Sequence, residues 1–473
     1  MDPADAYVEL YDLLTLCSGS SLADWSREDE TLALIDQVCC EVLAQGELPD
    51  GWMPAELPQQ SDQPALRRCL GILLGLDSAL DSAALETDVL PYDELRYLRY
   101  RMRLHGRLNQ ATSGSLVVRR ARPFRPSTAA QNLADLLSFI RIPSHVSARV
   151  QIHVVTSVND LPDLEPVIST DPELEPLPPI PVAQMPMLAD GEDLVWEKLD
   201  RPAGQFYTVA PKTTRLRERI LDALTALDDS DAVLGLLPEA CIDDSLAREW
   251  QEVLRNHPPP SHSRLTWLLI GTGPLTRSGG LGLTDRRPNR AVLLTRAGKV
   301  LMTQDKQHGF TFTAGQQQTY GVTALGHTTR DEHIDSGTDF RALESRYGRF
   351  GLNICEDLGR HDVQSDVIAS GVTHLMVPVL AAAMHDKGWQ AQAAQTLVIE
   401  AGTAVAVTNG LAINRYVPAT YGGGPAPTLV AIKAPTGHPT EYPGLSDMVR
   451  EYACPKTAIS AKQDALTPRT ADW

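Results

Sequence analysis

The stretch "RFGLNICEDLGR" (residues 349–360) changes character abruptly in its middle. A short apolar run typical of a buried strand ends at Ile354, and Cys355, Glu356 and Asp357 follow at once. In layered α/β proteins, reactive groups collect at the carboxyl ends of strands, so this thiol is a candidate nucleophile. Two neighbouring carboxylates should raise the pKa of the thiol, so a nucleophile at this position needs a cation nearby.

Two further strand ends carry groups that complement the thiol. "AVLGLLPE" ends in Glu239, and "KVLMTQDK" ends in Lys306. A carboxylate, an ammonium and a thiol form a workable set for acyl transfer, because the ammonium offsets negative charge and favours the thiolate. Each residue also has a structural alternative: Cys355 as a small core residue, Glu239 as an acid near a helix start, and Lys306 as a surface lysine. Their occurrence at three matching strand ends favours the catalytic interpretation.

The texture of the chain predicts three parts. Residues 1–157 show apolar residues at helical spacing, as in "ALRRCLGILLGL", and predict a mostly helical N-terminal domain of unknown role. Residues 158–195 are rich in proline and acid and predict a linker. Residues 196–473 alternate short β-branched runs with helical stretches, which predicts an α/β domain with layered sheets.

Composition and charge exclude several classes of function. The 473 residues favour two domains or more, and the formal net charge of −18 argues against a nucleic-acid or membrane partner. The longest apolar runs are too short to span a bilayer, and the acidic start "MDPADAYVEL" is unlike a secretory signal. Seven cysteines in a chain of this length give no disulfide framework, so we expect a cytoplasmic protein. No cofactor or metal motif is present in the sequence, and none is expected.

Five segments occur in an order and at a spacing that resemble the nitrilase, or carbon–nitrogen hydrolase, superfamily. They are "LLPEA", "NRAVLLTRAGKVLMTQDKQH", "GRFGLNICEDL", "GVTHLMVPVL" and "WQAQAAQTLVIEAGTAVAVTNG". The resemblance covers residues 196–473 only. It implies a four-layer α-β-β-α sandwich in this part. It also implies a homo-oligomer, with dimers pairing through the helix after Cys355 and the helix around residues 389–401.

The resemblance also implies roles for individual residues. Cys355 would attack a carbonyl or nitrile carbon, Glu239 would move the proton, and Lys306 would stabilise the oxyanion together with the backbone N–H of Glu356. The family has a second glutamate soon after the lysine. The nearest match here is Glu332, provided that residues 309–330 are an insertion lining or covering the pocket.

Two functions remain open at this stage. The first is an amidase-type hydrolase that cleaves a non-peptide C–N bond (amide, carbamoyl or nitrile) of a small molecule through a cysteine thioester. The alternative is a regulatory or scaffold protein that uses the nitrilase-like domain as a sensor, with residues 1–157 binding a protein partner. The intact set of Glu239, Lys306 and Cys355 favours the enzyme, whereas the displaced second glutamate favours the regulator.

Overall fold

A computed structural model describes most of the chain. The described residues are 1–84, 95–111, 113–120, 132–155, 157, 160–161, 180–276, 286–345, 347–385, 388–413, 426–434, 448–453 and 466–472. Most of the predicted linker therefore lies outside the described residues. No helix within these ranges is both long and apolar enough to cross a membrane.

An all-helical start is followed by strands and helices in mixed order. The helices are α1 (Pro3–Leu14), α2 (Gly19–Trp25), α3 (Asp29–Gln45), α4 (Gln63–Ala84), α5 (Arg96–His105), α6 (Ser144–Ser147), α7 (Thr213–Arg217), α8 (Ile220–Asp228), α9 (Asp244–Asn256), α10 (Ala314–Tyr320), α11 (His361–Ser370) and α12 (Trp389–Ala401). The strands are β1 (Gly114–Val118), β2 (Phe139–Pro143), β3 (Val150–Val154), β4 (Pro181–Gln184), β5 (Leu194–Arg201), β6 (Gly204–Pro211), β7 (Leu234–Leu236), β8 (Trp267–Pro274), β9 (Asn289–Thr295), β10 (Val300–Asp305), β11 (Thr311–Phe312), β12 (Arg330–Glu332), β13 (Phe340–Ser345), β14 (Gly348–Leu352), β15 (His374–Val379), β16 (Ala404–Asn409), β17 (Leu429–Lys433), β18 (Val449–Ala453) and β19 (Arg469–Asp472).

Helices α1 to α5 share a hydrophobic core of their own. The Asp2 carboxylate starts α1 by accepting from the N–H groups of Ala4 and Asp5, and Pro3 follows it at the first helical position. Helices α3 and α4 pack closely because Gly75 lacks a side chain: a Cβ there would lie 2.6 Å from the Val38 Cβ. After α5 the chain forms the antiparallel pair β1–β2, so the uninterrupted series of helices ends at residue 105.

Two large sheets pack face to face. One has the strand order β10-β9-β8-β7-β4-β19, and the other β18-β17-β16-β15-β14-β13-β3. Alternate residues of β8 divide between two cores, because side chains on a strand point to opposite faces. Trp267 and Leu269 enter the core shared with the second sheet, where Trp267 meets Phe350 edge-on at 4.9 Å between ring centroids. Leu268 and Ile270 enter a core with helices α8 and α9, while α12 packs on the second sheet.

Strand pairing differs from the boundaries expected at residues 157 and 196. Strand β3 pairs in parallel with β13, and β4 lies between β7 and β19. Both strands precede residue 196, yet they belong to the two large sheets. Composition reports local texture, whereas strand pairing joins segments far apart in sequence, so the composition change did not mark the edges of these sheets.

Candidate active site

Four chemically active side chains come from the ends of four strands. Glu239 follows β7, Lys306 comes directly after β10, Glu332 is the last residue of β12, and Cys355 follows β14. Strands β7 and β10 belong to one large sheet and β14 to the other, while β12 lies in a small sheet of order β11-β12-β6-β5. All four side chains are buried. The structure thus brings together the residues that were predicted from the sequence.

Lys306 forms the centre of a buried ionic cluster. Its Nζ lies 2.9 Å from Glu239 Oε1 and 2.7 Å from Glu332 Oε2. Burial alone would lower the pKa of Lys306, but the charges of the two glutamates outweigh burial and raise that pKa well above its usual value. Lys306 is therefore a permanent ammonium, suited to stabilising negative charge and unsuited to moving protons.

Glu332, the candidate for the second glutamate, lies beside the lysine. It contacts Lys306 although the two are 26 residues apart in sequence. The intervening chain is ordered as β11, α10 and a short 3₁₀ turn, and β12 then returns in parallel with β6. The backbone N–H of Phe310 donates at 3.0 Å to Glu332 Oε2, the oxygen that also contacts Lys306, and so helps to hold the carboxylate in place.

Asn289 joins the cluster and was not predicted from the sequence. Its Nδ2 donates to Glu239 Oε1 at 2.8 Å and to Glu332 Oε1 at 3.2 Å. Its backbone carbonyl accepts from the N–H of Lys306 at 2.8 Å. Asparagine is depleted in strands, so an asparagine that opens β9 beside the lysine strand was the one signal available. Asn289 and Lys306 together bridge both carboxylates.

Cys355 adopts a left-handed backbone conformation, with φ of 48°, that non-glycine residues rarely adopt. Burial, followed by the charge of Glu239, raises the pKa of the thiol well above its ordinary value. Lys306 and the N–H of Leu380 act in the opposite direction but do not reverse the shift. The same Leu380 N–H lies 2.9 Å from Glu239 Oε2.

Lys306 thus favours the thiolate, as expected, but burial and the charge of Glu239 outweigh it. The Cys355 thiol therefore rests neutral with a glutamate beside it. That arrangement suits general-base removal of the proton during attack rather than ionisation beforehand.

The two acids after Cys355 do structural work. The Glu356 carboxylate lies 2.8 Å from Arg360 in an ion pair near the surface. Asp357 is buried and accepts from the backbone N–H groups of Gln307 at 3.0 Å and His308 at 2.8 Å. Burial is the main cause that raises the pKa of Asp357 to about 7. Asp357 thus ties the turn at Cys355 to the chain that follows Lys306.

Comparisons with known proteins find solved structures of the superfamily that the sequence resembles. No family model and no curated protein matches the chain. An amidase from Nesterenkonia sp. is 15% identical over 64% of this chain and 94% of its own, with a TM-score of 0.38. A variant of the Nesterenkonia sp. AN1 amidase, with the acetamide moiety of fluoroacetamide at its active-site cysteine, is 14% identical over 62% and 95%, with a TM-score of 0.37. Nit3 of Saccharomyces cerevisiae, a member of branch 10 of the nitrilase superfamily, is 14% identical over 61% and 93%, with a TM-score of 0.34.

Proposed function

We propose that this protein is an amidase-type carbon–nitrogen hydrolase that cleaves a non-peptide C–N bond of a small molecule through Cys355. One observation carries the proposal. A buried thiol in a rare backbone conformation lies close enough to Glu239 for that carboxylate to raise its pKa, and Glu239 shares the Lys306 ammonium with Glu332. A nucleophile, a base and a fixed positive charge within one water-poor cluster are the parts that acyl transfer requires.

In the first half-reaction the Cys355 sulfur attacks the carbonyl carbon of an amide. The S–C bond forms as the thiol proton passes to Glu239, and the carbonyl oxygen becomes an oxyanion. Lys306 and the backbone N–H of Glu356 are the proposed donors to that oxyanion. Removing one such donor from other enzymes costs about 3 to 4 kcal/mol of transition-state stabilisation.

The first half-reaction ends as Glu239 gives its proton to the nitrogen and the C–N bond breaks, which leaves a thioester on Cys355. In the second half-reaction Glu239 takes a proton from water as the water attacks the thioester carbon. The C–S bond then breaks, Glu239 returns the proton to the sulfur, and the acid departs. Glu332 would hold Lys306 in place and help to orient the water. Lys306 stays charged, so in the pair of Lys306 and Glu239 the glutamate is the residue suited to carry protons.

The same proposal extends to architecture and assembly. The two facing sheets with helices on their outer sides support the four-layer α-β-β-α sandwich expected for residues 196–473, preceded by a mostly helical N-terminal domain. A dimer would pair α11 and α12, and Trp389 at the start of α12 is 40% exposed. Light scattering after size-exclusion chromatography should then give twice the mass of the chain, and a monomer at micromolar concentration would contradict the pairing.

A second candidate is a cytoplasmic regulatory or scaffold protein. The observation that favours it is the separate hydrophobic core of α1 to α5, which gives residues 1–157 a folded surface of their own for a protein partner. The closed cluster around Lys306 favours the enzyme, because a scaffold has no need of a buried nucleophile beside an ionic network.

Ammonia release from a panel of simple amides, carbamoyl compounds and nitriles tests the proposal. The full chain should release ammonia from at least one class, and Cys355→Ala should reduce the rate to background while leaving the thermal unfolding midpoint nearly unchanged. Equal rates from the two proteins would overturn the proposal. Turnover of none of the panel would favour the scaffold function.

A further inference from the structure

Five aromatic side chains form a continuous cluster beside the ionic site. Phe312 lies at its centre, 5.6 to 5.9 Å between ring centroids from each of the other four. This aromatic cluster consists of Trp196, Tyr207, Phe310, Phe312 and Tyr320. Three of its members come from residues 309–330, the segment interpreted as an insertion. Most of the aromatic cluster therefore belongs to that segment.

The aromatic cluster is connected directly to the groups that would perform the chemistry. The N–H of Phe310 binds Glu332. Leu380, which packs against the aromatic cluster, donates its N–H to Glu239. The rings are thus held within one residue of both carboxylates of the site.

Part of the surface of the aromatic cluster remains accessible. Phe312 and Tyr207 are buried, whereas Trp196, Phe310 and Tyr320 keep partly accessible faces. Aromatic faces that are apolar and preorganised bind apolar groups at little entropic cost. The aromatic cluster therefore offers a surface on which an apolar part of a substrate can pack.

The charges of the site decide against an anionic ligand. Two carboxylates and one ammonium leave the described cluster of Glu239, Lys306 and Glu332 with an excess of negative charge. A ligand carboxylate placed here would meet this excess charge in a poorly solvated setting. A neutral group avoids the repulsion and gains the apolar contact.

Tyr320 connects the aromatic cluster to the sulfur of Cys355. Burial and then the charge of Cys355 raise the pKa of Tyr320, so this ring lies in the electrostatic neighbourhood of the thiol. In the proposed reaction the amine leaves with a proton from Glu239, while the acyl group stays bonded to the sulfur. A ring on the sulfur side contacts the acyl group through both half-reactions.

We infer that the aromatic cluster is the acyl-binding wall of the site and that the substrates are neutral amides with an apolar, preferentially aromatic, acyl group. This inference rests on the proposed hydrolase function. A single methylene in an apolar pocket changes kcat/KM by about 10- to 200-fold. A phenyl group packed against the aromatic cluster should therefore raise kcat/KM by at least about 100-fold.

The test compares kcat/KM of the full chain for acetamide, phenylacetamide, the anion succinamate and the cation glycinamide. Phenylacetamide should exceed acetamide by about 100-fold, and succinamate should be the poorest. Tyr320→Ala should reduce the preference for phenylacetamide about tenfold, chiefly through KM, and Tyr320→Phe should retain it. Tyr100→Ala, the same change at an exposed tyrosine of α5, is the matched control and should leave the preference intact.

The outcomes separate the inference from the function on which it rests. Acetamide or succinamate as the best substrate would overturn the apolar wall while leaving the hydrolase in place. Glycinamide as the best substrate would show that the rings and the negative charge select a cation instead, which also overturns it. Turnover of no amide, with no acyl group found on Cys355, would remove the proposed function and the inference together.

Discussion

Two buried polar clusters in this chain are built in opposite ways. In the N-terminal helical part, Asp77 accepts from the Tyr7 hydroxyl at 2.8 Å and from the Ser138 N–H at 2.9 Å, and both donors are neutral. In the candidate active site, Lys306 sits between two carboxylates, with Cys355 in a rare backbone conformation beside them. Among the described residues, the Asp77 cluster contains no counter-charge, and it joins helix α4 to the residue that precedes β2.

The difference between these clusters separates stability from function. Around Asp77, neutral donors satisfy the hydrogen-bonding needs of a buried carboxylate without adding a second buried charge. Concentrated charge next to a strained nucleophile lowers stability unless every partner is in place. Such an arrangement persists where chemistry requires it. Changes at the site should therefore affect rate, and also stability where they remove a charged partner, whereas changes near Asp77 should affect stability alone.

Among the charged residues of the site, the largest effect is expected for Lys306→Met, which keeps the length of the side chain but removes its charge. Hydrolysis should fall by about 10³-fold or more, because an oxyanion donor is lost and two carboxylates lose their shared partner. Lys299→Met, the same change at an exposed lysine of the β9–β10 hairpin, should leave the rate unaffected. If Lys306→Met lowered the rate of hydrolysis by less than tenfold, the proposed difference in function between the Lys306 cluster and the Asp77 cluster would be wrong.

A smaller loss of rate is expected at Asn289. Asn289→Ala removes a donor that bridges both glutamates, so kcat should fall by roughly 10- to 100-fold with KM little changed, as for a residue that positions a base. Asn289→Asp should be worse at neutral pH and recover partly at acidic pH, as the added carboxyl becomes protonated. Steady-state kinetics from pH 5 to 8 measure both.

The matched control for Asn289 lies in the N-terminal part. Asn109 is also buried, and its amide donates to the carbonyls of Ala111 and Gly114. Asn109→Ala should lower the unfolding midpoint and leave kcat unchanged. If the two asparagine variants lose activity equally, Asn289 has no positioning role beyond holding the fold together.

The pH dependence of stability should distinguish the two buried aspartates. Burial raises the pKa of Asp77 to about 6 and that of Asp357 to about 7, both above the ordinary 3.8. A carboxyl with a raised pKa in the native state contributes its full stabilisation below pH 3.8, where it is protonated in both states. This stabilisation is lost as the pH rises from 3.8 to the pKa of the carboxyl in the folded protein. Asp77→Asn and Asp357→Asn each remove this loss.

Unfolding midpoints at pH 4, 5, 6, 7 and 8 provide the measurement. The advantage of Asp77→Asn over the unmodified chain should grow up to about pH 6 and then level off, whereas that of Asp357→Asn should keep growing to about pH 7. Differences that do not vary with pH would show that neither carboxyl is held with a raised pKa.

The smallest expected effect concerns the backbone of Cys355. A left-handed conformation costs an L-residue about 1 to 2 kcal/mol, so Cys355→Gly should be more stable than Cys355→Ala by about 1 kcal/mol. At the buried Cys241, which is not among the residues with positive φ, the order should reverse. Denaturant unfolding of the four variants measures this. The same order at both positions would contradict stored strain at the nucleophile.

Much of the candidate site could be predicted because its residues mark strand ends. Glu239, Lys306 and Cys355 each follow a recognisable apolar run, and the order of these runs resembled a family pattern. Glu332 was reached only through that resemblance. Asn289 could not be singled out, because its role depends on two glutamates that are 43 or more residues away.

The failed expectations share one physical cause. The acids adjacent to Cys355 were expected to raise the pKa of its thiol, yet after burial the largest contribution comes from Glu239, far away in sequence. Likewise, β3 and β4 pair with strands that composition had assigned to another part of the chain. Local sequence carries strand propensity, whereas electrostatics and pairing depend on neighbours in space.

The most direct test of the account is to identify the residue that carries the acyl group during turnover. The full chain would be quenched in acid while hydrolysing the best amide of the panel, and its peptides mapped by mass spectrometry. The account predicts an acyl thioester on Cys355, none on the other six cysteines, and much slower formation in Glu239→Gln. An acyl group on another residue, or turnover with Cys355 never modified, would contradict it.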